Sequence, residues 1–60
     1  MSEMVLLDFA TVSRKVGLSR KSIYCRIRTG EFPQQVKIGR ASRWLKHEVD
    51  EWIAGVAAAR

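Results

Sequence analysis

Gly17-Leu18-Ser19-Arg20-Lys21-Ser22-Ile23-Tyr24-Cys25-Arg26-Ile27-Arg28-Thr29-Gly30 reads as a tight turn followed by one short helix with both ends marked. Gly17 can take the left-handed conformation that stops a preceding helix. Ser19 suits the N-cap, because its hydroxyl can accept from the open amides of the next turn. Gly30 marks the far end, and Arg26 and Arg28 stand in the last turns, where cations complement the helix dipole. Between these marks Ile23 and Ile27, four apart, form one narrow apolar stripe. At 100° per residue Arg20 flanks that stripe, while Lys21, Ser22, Cys25 and Arg28 spread over the opposite side. Tyr24 and Arg26 fall towards the two borders. A solvated surface helix mixes Glu with its Lys and Arg, whereas this one carries four positive charges and no acid. A helix spanning roughly 15 Å, of a width that enters the major groove of B-DNA, is therefore preferred over a plain solvated face.

Working outward, Asp8 offers an N-cap, and Phe9, Val12 and Val16 at i, i+3 and i+7 predict a first helix over residues 8–16. Two short helices joined by a three-residue, Gly-containing turn match the helix-turn-helix pattern. Residues 1–7 read as an N-terminal lead that packs one or two of Val5, Leu6 and Leu7 on the core. Downstream, Pro33 disfavours helical backbone at Phe32. Val36-Lys37-Ile38 and Arg43-Trp44-Leu45 then flank the turn Gly39-Arg40-Ala41-Ser42, which predicts a two-stranded β-hairpin. Arg40 falls at its tip, with Lys37 and Arg43 on or near its polar face. Because such a hairpin is not stable alone, Val36, Ile38 and Trp44 are expected to pack on the helices. From about His47, Val49, Trp52, Ile53 and Val56 restore a helical stripe, with Glu48, Asp50 and Glu51 in the first turns. Ala57-Ala58-Ala59-Arg60 is expected to fray.

Sixty residues make one domain, 1–60, with its core over about 6–54 and a frayed end over 55–60. A chain of this size buries only about 60% of its unfolded surface, which leaves no room for a catalytic cleft beside the core. The single Cys25 excludes an internal disulfide and a multi-cysteine metal site, and His47 lacks partners for one. No residue pair has general acid–base spacing and no Gly-rich loop could cradle a nucleotide, so no catalytic residue, metal or cofactor is expected. With no apolar run long enough for a signal peptide or a membrane span, the expectation is a soluble, cytoplasmic protein, complete from Met1.

The net charge of +5 conceals a segregation. Between Arg14 and Lys46 ten basic residues stand against Glu31 alone, a net +9. The flanks set Glu3, Asp8, Glu48, Asp50 and Glu51 against Arg60, a net −4. Such a distribution suits a polyanion on one face. A membrane surface is disfavoured, because interfacial helices need a broad apolar face and this one is two isoleucines wide.

Leu18-Ser19-Arg20-Lys21-Ser22-Ile23-Tyr24, Ile27, Gly30-Glu31-Phe32-Pro33, Val36-Lys37-Ile38-Gly39, Arg43-Trp44-Leu45 and Glu48-Val49-Asp50-Glu51-Trp52-Ile53 together resemble the AlpA family. These are small prophage regulators and excisionase-like proteins whose fold is similar to the DNA-binding domain of MerR-type activators. The resemblance covers roughly residues 6–54. It implies an α+β, mostly α, small winged helix-turn-helix: helix, helix, two-stranded hairpin wing, helix. The second helix would enter the major groove and the wing the adjacent minor groove or backbone. By position Arg20, Lys21 and Ser22 match the front of the family's recognition helix, Tyr24 an aromatic that meets phosphate, and Arg40 the wing tip. Two departures are Cys25, where relatives often carry a long polar residue, and Lys46-His47, a poorer N-cap than the usual Ser or Asp. The first shifts base reading towards Arg26 or Arg28.

The DNA-binding residues expected are thus Arg20, Lys21, Ser22, Tyr24, Arg26, Arg28, Lys37, Arg40 and Arg43, on double-stranded DNA. Base edges would be read from Arg20, Lys21, Ser22 and Arg28. The output would be transcriptional regulation, or directionality of recombination with an integrase, in the nucleoid and with cooperative self-association on DNA. The rival expectations are a single-stranded nucleic-acid module using Tyr24 and the tryptophans, and a protein-interaction adaptor using Val49, Trp52 and Ile53.

Overall fold

Every helix boundary in the first half carries the cap that its sequence supplies. The computed structural model describes residues 4–59, so Met1, Ser2, Glu3 and Arg60 lie outside it. α1 (Phe9–Val16) opens on Asp8, whose carboxylate accepts from the Thr11 amide at 2.9 Å. It closes on Gly17 at φ +71°, whose N–H donates to the Ser13 carbonyl at 2.8 Å. The Ser13 hydroxyl donates onward to the Leu18 carbonyl at 2.7 Å, which fixes the turn. α2 (Arg20–Arg28) opens on Ser19, which accepts from the Ser22 amide at 3.2 Å. Its end is a Schellman motif: Glu31 N–H to the Arg26 carbonyl at 2.7 Å and Gly30 N–H to the Ile27 carbonyl at 3.1 Å, with Gly30 at φ +82°.

Four elements follow the same logic less locally: β1 (Leu6–Leu7), β2 (Val36–Ile38), β3 (Ala41–Leu45) and α3 (Lys46–Ala59). The strands form one antiparallel sheet of order β1-β3-β2, so β3 is central. The core draws one buried residue from each part of the chain: Val12 from α1, Ile23 from α2, Phe32 from the loop, Trp44 from β3 and Val49 from α3. Leu7, Phe9, Val16, Leu18, Tyr24, Ile27, Trp52 and Ile53 pack around them. Both indoles also clamp the loop after α2. Trp44 Nε1 donates to the Pro33 carbonyl at 3.1 Å and Trp52 Nε1 to the Glu31 carbonyl at 2.6 Å. Phe32 meets Trp52 edge-on, centroids 4.8 Å apart. The poor N-cap of α3 is offset from elsewhere, since the Lys46 amide donates to the Val5 carbonyl at 2.8 Å.

The fold is mostly helical α+β, as expected for a small winged helix-turn-helix, with three differences in detail. The lead before α1 supplies a third strand, Leu6–Leu7, paired to Leu45 and Trp44. Val36 and Ile38 do not join the core; they are 39% and 50% exposed. The register explains this. Ile38 pairs with Ala41 and Lys37 with Ser42, leaving a two-residue loop, Gly39-Arg40. Only the first of these has positive φ (+61°), the pattern of a II′ turn. Trp44 shares a face with Ser42 and hence with Lys37, so Val36 and Ile38 point the other way. Lastly, the Ala-rich end expected to fray is helical through Ala59, with residues 54–59 exposed.

Candidate nucleic-acid interface

Ile23, fully buried on one side of α2, fixes which side faces outward. Lys21, Cys25 and Arg28, at i, i+4 and i+7, make one exposed stripe there. On one flank Ser22 and Arg26 are half-buried and bonded to each other. Arg26 Nη1 donates to the Ser22 hydroxyl oxygen at 3.1 Å and to its carbonyl at 3.5 Å. On the other flank Tyr24 is half-buried and stacked on Phe9, centroids 6.1 Å apart and planes 16° from parallel. The Arg20 guanidinium lies over the Phe9 ring, 4.3 Å from its centroid.

The wing presents Arg40, exposed at its tip, and Lys37, exposed with Nζ 3.4 Å from the Ser42 hydroxyl. Arg43 is half-buried and donates from Nη1 to the Ser42 carbonyl at 2.9 Å. The structure thus separates the nine expected residues. Lys21, Arg28 and Arg40 stand open; Lys37 is exposed but reaches the Ser42 hydroxyl; Ser22 with Arg26, Arg20 with Tyr24, and Arg43 are engaged with neighbours. Phe9, read from sequence only as core, turns out to support a cation. Nothing in the linear pattern marks it, because the contact joins two helices.

Among the described residues the ion pairs are those of Asp50: with Lys15 at 3.0 Å, which ties α1 to α3, and with Lys46 at 2.8 Å, within α3. The hydrogen bond from Lys46, then that from Lys15, holds the Asp50 carboxyl below the usual carboxylate range. The Thr11 backbone amide does the same for Asp8, with smaller help from Arg43 and Arg14. Among the described residues no ion pair within 4.0 Å is made by the cations of α2 and the wing, although Asp8 lies near enough to Arg43 to be stabilised by it. Guanidinium forks and ammonium groups suit phosphate oxygens and guanine edges. No helix among the described residues is long and apolar enough to cross a membrane.

A family model described as the prophage CP4-57 regulatory protein (AlpA) matches residues 6–56. The chain belongs to the AlpA family. AlpA is a regulatory family of prophages, and the match runs from β1 into the last turns of α3, so the third strand falls within it. An uncharacterized protein of Enterobacteria phage P4, ORF88, is 53% identical to this AlpA chain over 45 residues, 73% of the chain and 51% of the relative. The chain therefore spans about half the length of the curated relative it matches. No solved structure matches.

Proposed function

We propose that this AlpA-family chain binds double-stranded DNA sequence-specifically, as a prophage regulator of the excisionase type. The observation that carries the reading is the Lys21–Cys25–Arg28 stripe on a helix capped at both ends and seated on Ile23, beside an arginine-tipped hairpin. α2 enters the major groove and reads base edges from Lys21 and Arg28, with Ser22 beside them. An Arg–guanine pair contributes about 1–3 kcal/mol of discrimination. Arg40 and Lys37 hold the backbone or minor groove next to it. Contacts to phosphate supply most of the affinity and fix the register.

A single module of this kind buries roughly 600–1,000 Å², so one copy binds weakly. Several copies side by side, or an integrase on the same DNA, make up the difference, and the array bends the site. The output is transcriptional control, recombination directionality, or both. Single strands are the weaker reading, because stacking platforms must be open. Trp44 is fully buried, Trp52 is bonded to the Glu31 carbonyl, and Tyr24 already stacks on Phe9.

Competition between a duplex and its separated strands tests this. Duplex preference with affinity falling steeply between about 50 and 200 mM salt is expected. Preference for single strands, or binding indifferent to salt, refutes it.

A further inference from the structure

We propose that Arg20 is half of a backbone-phosphate clamp, positioned by Phe9, and not a reader of base edges. The proposal rests on the DNA-binding reading above and reassigns the role that sequence position alone gives this arginine.

The Arg20 guanidinium sits 4.3 Å from the Phe9 centroid and 5.8 Å from that of Tyr24. Both rings lean on the buried Trp44, at 6.1 Å and 6.3 Å, so the platform beneath the cation is itself anchored in the core. A cation over an aromatic face is held by the ring quadrupole. Stacking occupies the flat faces of the guanidinium and leaves its N–H edges to donate. Arg20 also lies about 100° round the helix from the Lys21–Cys25–Arg28 stripe, so the platform draws it off the groove-facing side.

A second arginine, Arg43, lines the same notch. Arg20, Tyr24, Ser42 and Arg43 line one shallow notch between α2 and the sheet, together with Asp8 and Phe9. Asp8 is the notch's one anion, and its carboxylate caps the Thr11 amide. Arg43 uses Nη1 on the Ser42 carbonyl, which leaves its other donors. Two arginine forks, a phenol and a hydroxyl beside the groove-facing stripe make a seat for a phosphodiester. A phosphate there fixes register and carries no base information.

A duplex site is first selected from a random pool with the wild-type protein; affinities are then measured for that duplex and a scrambled one across salt. Arg20→Ala is expected to weaken both by the same factor, roughly tenfold for one charge-assisted contact. The salt slope should fall by about 1 on both. Phe9→Leu is expected to weaken both by a smaller common factor, to do nothing further in the Arg20→Ala background, and to be rescued by Phe9→Tyr, which keeps the ring. Thermal melts monitor folding of each variant, and Arg20→Ala, at an exposed position, decides the question if Phe9→Leu does not fold. Loss confined to the selected duplex makes Arg20 a base reader and overturns the proposal. So does a Phe9→Leu effect that persists undiminished in folded Arg20→Ala protein. A wild-type protein with no salt-dependent duplex binding removes the DNA reading itself, and the clamp with it.

Discussion

The two parts that would meet DNA are built in opposite ways. α2 is capped by Ser19 and Gly30 and seated on a core of Val12, Ile23, Phe32, Trp44 and Val49. β2 buries no side chain at all; Val36, Lys37 and Ile38 are each exposed. The wing is held by its ladder to β3, a two-residue turn and the Lys37–Ser42 contact. A domain of this length has apolar residues for one core, and that core is placed under α2. The contrast teaches that the two parts are held differently: α2 by packing and the wing by backbone pairing, so the wing is expected to open more readily.

The largest test of that division is Trp44→Ala. It removes the biggest fully buried side chain and orphans the Pro33 carbonyl. Aromatic truncations of this kind cost about 3–5 kcal/mol, comparable with the whole stability of a domain this small. The variant should lack a cooperative thermal transition by circular dichroism. A melt within a few degrees of wild type would mean that the indole is not the keystone. Next comes Ser19→Ala, which leaves the Ser22 amide without its cap and should cost about 1 kcal/mol in chemical denaturation.

Acid sharpens the same contrast. The folded-state pKa values of Asp8 and Asp50 are lowered, the first by the Thr11 amide and the second by Lys46 and then Lys15. A depressed carboxyl contributes stability that is present above its ordinary unfolded pKa of 3.8 and is lost as pH falls through the folded value. The melting temperature should therefore be insensitive to these groups above about pH 5 and fall below about pH 4. Asp50→Asn should soften that fall. An acid limb unchanged in this variant would deny the Lys15–Asp50–Lys46 link its part in joining α1 to α3.

At the small end, Ile38→Thr should change stability by no more than about 0.5 kcal/mol, because the side chain is half-exposed on the face away from Trp44. A cost above about 1.5 kcal/mol would restore Ile38 to the core and break the parity argument.

The same division governs what the sequence made legible. Helix ends were readable because caps act over three or four residues: Asp8 on Thr11, Ser19 on Ser22, Gly17 and Gly30 at positive φ. The α2 stripe followed from 100° per residue, and Arg40 at the tip from Gly39. The facing of Val36 and Ile38 was also within reach. A turn with an even number of residues puts both on the strand face opposite Trp44, whatever their hydrophobicity. β1 was not readable, since two residues show no period and the strand exists only because β3 offers an edge. Nor was the Arg20–Phe9 stack, which depends on how two helices approach. The Ser22–Arg26 pair has the i, i+4 spacing that predicts it.

The central claim is that α2 and the wing tip, not the acidic last helix, meet duplex DNA. Amide shifts followed by NMR while a duplex is titrated into the protein test it most directly. The account predicts the largest perturbations at Lys21, Cys25 and Arg28 and around Gly39 and Arg40, with Glu48 to Ile53 little moved. Shifts concentrated on Glu48, Glu51 and Trp52, with residues 19–29 and 39–43 unchanged, would contradict it.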